Sequence, residues 1–325
     1  MGPHPAVAAV RLAVRRSLPA GDGLVLVACS GGADSLALAA ALAFEAPRAG
    51  RRAGLVTIDH GLQAGSAEQA ARVARLGSEL GLDPVYQIRV EVGGLGGPEA
   101  AARTARYAAL DRILARPDAQ PGTAILLGHT LDDQAETVLL GLGRGSGPRS
   151  IAGMGAVSGH YRRPLLGIRR ATTVAACAAL GLIPWVDPQN LDSRYQRVRL
   201  RQEVLPLLED VLHGGVAEAL ARTAGQLRQD LDALDAIAAP HLSGAEDLPV
   251  RAVEGLLRAV RARVLRGWAL GGGVDASRFT AHHIDALEGL ITSWRGQGPI
   301  PLPGGYQVSR SSGTLRLCSV VATEE

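Results

Sequence analysis

Between residues 24 and 142, four short apolar, β-rich runs alternate with four stretches of helical periodicity. That alternation constrains the fold more than any other feature of the chain. The runs are 24–29 (LVLVAC), 54–60 (GLVTIDH), 84–90 and 123–128 (TAILLG). Helices are expected over 36–44, 66–80 (closed by Gly81), 99–115 and 131–142. Strands and helices in strict alternation predict an α/β fold, a doubly wound parallel sheet covered on both faces. Such sheets take ligands beyond the carboxyl ends of their strands, and the polar motifs of this sequence fall at those ends.

The pattern weakens after residue 143. A Gly- and Arg-rich stretch fills 144–163, and further helices are expected over 171–180, 198–211, 216–239, 251–270 and 281–294. A linker is expected over 241–249, a break at 271–273, and a hairpin of strands 306–309 and 314–318. The expected organisation is a catalytic domain over 1–215, a helical linker over 216–249 and a small α+β domain over 250–325. No internal repeat is visible.

At 325 residues and 47% apolar composition the chain can bury a full core without covalent staples. The longest uncharged stretches, such as 171–186, fall short of the ~18 apolar residues a membrane span needs, and no signal peptide is expected. Cys29, Cys177 and Cys318 are widely spaced and form no CxxC pair, which fits a reducing, cytoplasmic setting. All 34 basic residues are arginine. Without lysine there is no Walker A loop, no kinase β3 lysine, no pyridoxal Schiff base and no lysyl-adenylate. Net charge is only +3, yet residues 144–201 hold ten arginines against Asp187 and Asp192. This block is the candidate surface for a polyanion such as RNA.

The first strand runs into Ser30, Gly31, Gly32, Ala33, Asp34 and Ser35. Two glycines remove side chains where backbone approaches a ligand, and the following helix aims unpaired N–H groups at the same place. Ser30 and Ser35 offer hydroxyls. The string reads as a phosphate cradle, with Asp34 placed to hold a magnesium ion; the plain alternative is a βα turn with polar caps. At the end of the fourth strand, 128–137 (GHTLDDQAET) puts Asp132, Asp133 and Glu136 within about one helical turn, beside His129. A carboxylate cluster there suits proton transfer or a metal, while helix-dipole placement would explain one or two of the acids.

SGGxDS resembles the PP-loop of the ATP pyrophosphatases, which split ATP into AMP and pyrophosphate while adenylating a substrate. GHxxDDQxET resembles the second signature of the tRNA(Ile)-lysidine synthetases and the related tRNA thiolation enzymes. The segments 144–154, 163–169 and 185–201 favour the lysidine branch, and the missing cysteine pair removes the sulfur chemistry of the other. Val198 stands where that family often has Asn, so no role needing an amide there carries over; Arg197, Arg199 and Arg201 keep the basic spacing. The resemblance covers residues 20–215 strongly, and 301–310 (PLPGGYQVSR) less specifically.

The resemblance implies a two-step ligation. The 2-carbonyl oxygen of the wobble cytidine in a CAU-anticodon isoleucine tRNA attacks the ATP α-phosphate, and free L-lysine then displaces AMP. It implies ATP and Mg2+ as cofactors, with Ser30 to Ser35 cradling pyrophosphate and Asp34 holding the metal. Arg106 and Arg201 would lie at the reaction centre, His129 and Asp133 at the nucleotide, and Glu136 at the lysine amine or its proton. Trp185 and Tyr195 are candidates for base stacking. No membrane contact is implied, and a homodimer fits the reading. Competing readings are a PP-loop enzyme with a small-molecule substrate and a non-enzymatic nucleotide-sensing RNA-binding module.

Overall fold

The computed structural model describes residues 2–61, 65–93, 98–116, 122–145, 147–187, 192–242 and 247–320. They form two compact units, Met1–Leu227 and Arg228–Glu325. Single residues or short pieces of three expected stretches lie outside the described residues: 146 in the Gly/Arg-rich run, 188–191 in the 185–201 segment and 243–246 in the linker.

The first unit contains α1 (Pro5–Ser17), β1 (Val25–Ala28), α2 (Ala33–Arg48), β2 (Ala53–Asp59), α3 (Ser66–Glu79), β3 (Val85–Arg89), α4 (Pro98–Leu114), β4 (Ala124–Leu127) and α5 (Leu131–Arg144). It continues with α6 (Pro148–Ile151), β5 (Val157–Ser158), β6 (Tyr161–Arg162), α7 (Arg170–Ala179), α8 (Gln196–Arg199), α9 (Leu205–Val211) and the start of α10 (Val216–Ala238). The sheet order is β3-β2-β1-β4-β6-β5, parallel except for the β5–β6 hairpin at one edge.

Strand β1 is central because it is apolar on both faces. Val25 and Val27 pack with α1 and α2 residues such as Val10 and Leu38, while Leu24 and Leu26 pack with Leu110 and Ile125 on the opposite side. A period of two places alternate residues on opposite faces, so only a strand covered on both sides can bury all four. The chain winds one way from β1 to β2 and β3 and the other way to β4, which leaves a crevice beyond the carboxyl ends of β1 and β4. Gly128 closes that end tightly: a Cβ there would lie 3.2 Å from the Ser35 amide nitrogen.

Several elements differ from expectation. Helix α1, which is not among the expected helices, carries Ala6, Val7, Val10 and Val14 on one buried face at helical spacing. Residues 198–211 form one helical run interrupted by a π turn at Leu200–Val204. The short β5 and β6 lie in the stretch read as aperiodic, since two-residue strands carry no period to detect.

In the second unit, β7 (Asp247–Pro249), α11 (Arg258–Gly271), α12 (Ala281–Thr292), β8 (Ile300–Leu302), β9 (Tyr306–Ser311) and β10 (Thr314–Ser319) form an antiparallel sheet β7-β10-β9-β8 with helices against it. The expected linker therefore ends in a strand, because Leu248 faces Leu315 and is buried. Helix α11 begins at Arg258, seven residues after the expected 251. The intervening backbone curls into a 3-10 turn that buries Val250 and Val253, and its carbonyls at Glu254 and Leu256 accept from the Arg261 guanidinium. Arg261 also pairs with buried Glu288 at 2.7 and 3.0 Å.

Removing one member of a buried ion pair strands the other charge. Arg261→Met is expected to destabilise the second unit by about 3–5 kcal/mol, and Arg261→Met with Glu288→Leu to recover most of that loss. Thermal unfolding followed by circular dichroism checks both values.

Candidate active site

The bend from β1 into α2 is set by Gly31, whose φ is +89°. A Cβ there would also sit 2.3 Å from Gln69 Nε2 on α3. Gly31 thus satisfies the backbone, whereas Gly32 faces open space: a Cβ on it would meet only Ser30 Oγ, at 3.8 Å. Gly32 is the N-cap of α2 and supplies no side-chain acceptor to the first turn. The first-turn N–H groups are thus left without a side-chain cap, with the positive end of the helix dipole behind them, an arrangement suited to phosphate.

Ser30 is exposed at the lip of the loop and Ser35 is buried beneath it. The Ser35 hydroxyl donates to the Gly32 carbonyl at 3.0 Å and accepts from the Ser30 amide at 3.2 Å. It braces the loop from below. The Trp185 amide donates to the Gly31 carbonyl at 2.9 Å, so the start of the 185–201 segment is tied to the bend.

Helix α5 opens in a capping box. Asp133 Oδ2 accepts from the Thr130 amide at 2.8 Å and its hydroxyl at 2.9 Å, so that Oδ1 is the oxygen left to face the arginines. One turn on, Glu136 is fully buried and lies side-on to Arg201, at 2.8 Å from Nε and 3.2 Å from Nη2. Arg197 approaches the same carboxylate at 3.9 Å, while Arg199 turns outward to Glu203. Asp132 does not join this group. It accepts from the Arg170 backbone N–H at 2.7 Å and so holds the start of α7.

The sequence reading missed the residue that joins these parts. Arg170 Nε donates to Asp34 Oδ2 at 3.1 Å, Nη2 donates to Asp133 Oδ1 at 2.6 Å, and Nη1 lies 3.7 Å from Glu136. The Thr173 hydroxyl takes the other oxygen of Asp34. Asp34, Asp133, Glu136 and Arg201 are thereby brought to one place. The available signal was two adjacent arginines opening an otherwise small, apolar helix, a position where an arginine partly buried by its helix requires an acidic partner.

Burial pushes the Asp34 and Glu136 carboxyls above their ordinary range, against the pull of Arg170 and Arg201 respectively. For Asp133 burial acts the same way, but Arg170 and the Thr130 N–H outweigh it and hold the group below the usual carboxylate range. Burial works against the Arg170 charge, and Asp133 and Asp34 more than compensate, raising it.

A second, cationic group lies at the ends of β2 and β4. His129 is pushed down to about 4 by burial, opposed by Asp133 and reinforced by Arg163, Arg103 and Arg106. His60 is lowered by burial and then by Arg106. Both rings are neutral near pH 7, and each has a buried Nδ1 without a hydrogen-bond partner. Arg106 thus falls among two imidazoles and two further arginines, facing the crevice from α4. Arg163 also donates to the Tyr107 hydroxyl at 3.4 Å.

Among the described residues no three His, Cys, Asp or Glu side chains gather as a metal cage. A magnesium ion carried largely by phosphate and water needs only one or two carboxylates. Asp34, in the first turn of α2, is placed to be one, with Arg170 Nε as the group that must give way. The donor fits the ion on those terms.

The PP-loop domain family matches residues 9–208, and the family described as the TilS substrate binding domain matches residues 248–316. The chain is 54% identical to the tRNA(Ile)-lysidine synthase of Thermobifida fusca, over 97% of this chain and 98% of that protein. It is 53% identical to the tRNA(Ile)-lysidine synthase of Streptomyces coelicolor, over 97% and 99% of the two chains. Among solved structures, the U34-tRNA thiolase NcsA from Methanococcus maripaludis with its [4Fe-4S] cluster shares the fold, with TM-score 0.56 and 18% identity over 68% of this chain and 79% of that one. No helix among the described residues is long and apolar enough to cross a membrane.

The two glycines should separate in experiment. Gly31→Ala is expected to cost about 1–3 kcal/mol of stability through its left-handed backbone and the clash with Gln69. Gly32→Ala is expected to leave the melting temperature within about 1 °C, a stability change near zero as for other open sites, yet to weaken ATP binding. Calorimetric titration with ATP beside a thermal melt distinguishes them. The His129 ring ionises near 6.5 when unfolded and near 4 when folded. The stability gained by keeping it neutral is complete above about pH 6.5 and is lost as pH falls toward 4, by at most ~1.4 kcal/mol per pH unit. His129→Gln should flatten that part of the melting-temperature profile.

Proposed function

Because the chain belongs to the tRNA(Ile)-lysidine synthase family of PP-loop enzymes, we propose that it joins free lysine to carbon 2 of the wobble cytidine in an isoleucine tRNA with a CAU anticodon. ATP is consumed, and AMP and pyrophosphate are released. The product pairs with A, so decoding changes from AUG to AUA. The observation that carries this reading is the facing of an uncapped phosphate loop at 30–35 and an arginine-bound carboxylate group at Asp133 and Glu136. A ligase that transfers first an adenylyl group and then an amine needs both.

In the first step the cytidine 2-carbonyl oxygen attacks the α-phosphorus, a P–O bond forms, and the bond to pyrophosphate breaks. The α2 N-terminus behind Gly31, Gly32 and Ala33 holds the departing pyrophosphate, with Ser30 at the lip and Ser35 bracing the turn. Asp34 would hold magnesium, which when bound neutralises phosphate charge. Arg106 offsets charge on the α-phosphate from α4, and Arg201 does so from the 197–201 segment. Neutral His129 can donate to a phosphate or sugar oxygen without adding charge.

In the second step the lysine ε-amine attacks carbon 2 and AMP leaves. The amine arrives as an ammonium and must lose a proton first. Asp133, held ionised, suits the ammonium, and Glu136, raised by burial, suits acceptance of its proton. The cytoplasm, where tRNA, ATP and lysine meet, is part of this reading. The second unit, with its TilS substrate binding domain match, is the further tRNA-contacting part.

Nucleoside mass spectrometry of tRNA incubated with the chain, ATP and lysine should show lysidine. Pyrophosphate release should require the CAU-anticodon tRNA. Asp34→Ala should abolish it, and Arg106→Ala should slow it by roughly 100-fold or more, as expected for a lost electrostatic contact to the transition state. Release at equal rate without RNA contradicts the reading. Affinity for tRNA should fall steeply between about 50 and 200 mM salt, as arginines displace counterions; a flat response contradicts the basic face at 144–201.

A further inference from the structure

Three carboxylates from two separate helices meet on one side chain: Asp34 at the phosphate loop, and Asp133 and Glu136 on α5, all within reach of Arg170. Its backbone N–H is pinned by Asp132 at 2.7 Å, so the start of α7 is fixed, yet its side chain is 25% exposed and has room to swing. The guanidinium therefore occupies two places at once. Nε covers the acid nearest the phosphates, while Nη1 and Nη2 cover the acids that an incoming ammonium needs.

We propose that Arg170 is a positioning residue that couples the two halves of the site, acting as an internal cation that keeps lysine off Asp133 and Glu136 until a nucleotide draws it away. The inference rests on the ligase reading above. A triphosphate tail at the α2 N-terminus brings several negative charges beside Asp34, and a guanidinium binds phosphate oxygens in a two-pronged fashion. As Arg170 turns to the phosphates, Asp133 Oδ1 and Glu136 lose a cation, and the ε-ammonium can replace it. Arg201 stays side-on to Glu136, so the acids remain partly balanced throughout. No bond is made or broken in this exchange. It orders the binding of the two substrates: nucleotide first, amine second. Such an order keeps lysine from occupying the crevice before the nucleotide that activates the cytidine is in place.

Equilibrium dialysis of radiolabelled lysine against the full chain, without tRNA, tests this. The chain is measured alone and with a non-hydrolysable ATP analogue plus magnesium. For the unmodified chain the analogue should tighten lysine binding by roughly 5- to 150-fold, the usual span of coupling between two sites. Arg170→Gln should bind lysine about tenfold more tightly than the unmodified chain when no nucleotide is present, and the analogue should then add little. A merely structural role predicts the opposite, weaker binding in the variant. Arg170→Lys keeps a cation but cannot span three acids, so it should show the same coupling at reduced size; it carries the comparison if circular dichroism shows Arg170→Gln unfolded. Lysine binding by the unmodified chain that is absent in both conditions, or equal with and without the analogue, overturns the proposal. So does an Arg170→Gln chain that binds lysine no better than the parent. Lysidine formation by the unmodified chain in the tRNA assay separates failure of this inference from failure of the ligase reading.

Discussion

Charge balance in a half-buried crevice is the constraint on which the rest of the first unit depends. Asp34, Asp133 and Glu136 lie together at the carboxyl end of a parallel sheet, where water can solvate them only in part. Isolated carboxylates in that position would take up protons and lose their use. Arg170 and Arg201 oppose this, Arg170 by a fork of N–H donors spread over three acids and Arg201 by one spread over two. A lysine ammonium, as a point charge, could not span such separations, and the sequence contains none. The same absence has a chemical consequence. No side-chain ammonium of this sequence can compete with free lysine for an activated cytidine.

The sheet itself was legible because its strands are short, apolar and separated by strong helix formers. Their two-sided burial leaves no other arrangement for runs such as 24–28 and 124–127. The bend at 30–35 was legible because Gly31 needs a left-handed backbone where a strand turns into a helix. What stayed hidden has a common physical cause. The buried stripe of helix α1 is built of alanine and valine, residues with little hydrophobic contrast against an alanine-rich background. Strand β7 is three residues long and exists only because β10 offers it a partner. The late start of α11 depends on a tertiary bond, Arg261 to two carbonyls, that local propensity cannot contain.

Within the site, residue types were easier to read than pairings. Spacing placed Asp133 and Glu136 on one face of α5, and they are on one face. Spacing left open which of the three acids would share a site; Asp132, one position before Asp133, points about 100° around the helix and meets α7. Ser35 reads as a hydroxyl of the loop, and its bonds to Ser30 and Gly32 show that such a hydroxyl also serves the turn. Arg170 was invisible as a site residue since it lies 34 residues beyond Glu136, on a helix whose motif carries no obvious chemistry.

These misses mark a division of labour along the chain. The alternating frame up to residue 144 supplies the phosphate loop, the carboxylates and the paired histidines, all at strand ends that any doubly wound sheet provides. The less regular stretch after it supplies the counter-charges: Arg163 beside His129, Arg170 on the three acids, Arg197 and Arg201 on Glu136. The thiolase that shares the frame at 18% identity shows that the frame alone does not decide the chemistry. In this chain the cations that balance the acids come from where the pattern of the sheet gives out. In this chain an arginine-rich, weakly periodic segment is therefore the more specific half of the site, although it is the half that secondary-structure periodicity describes least.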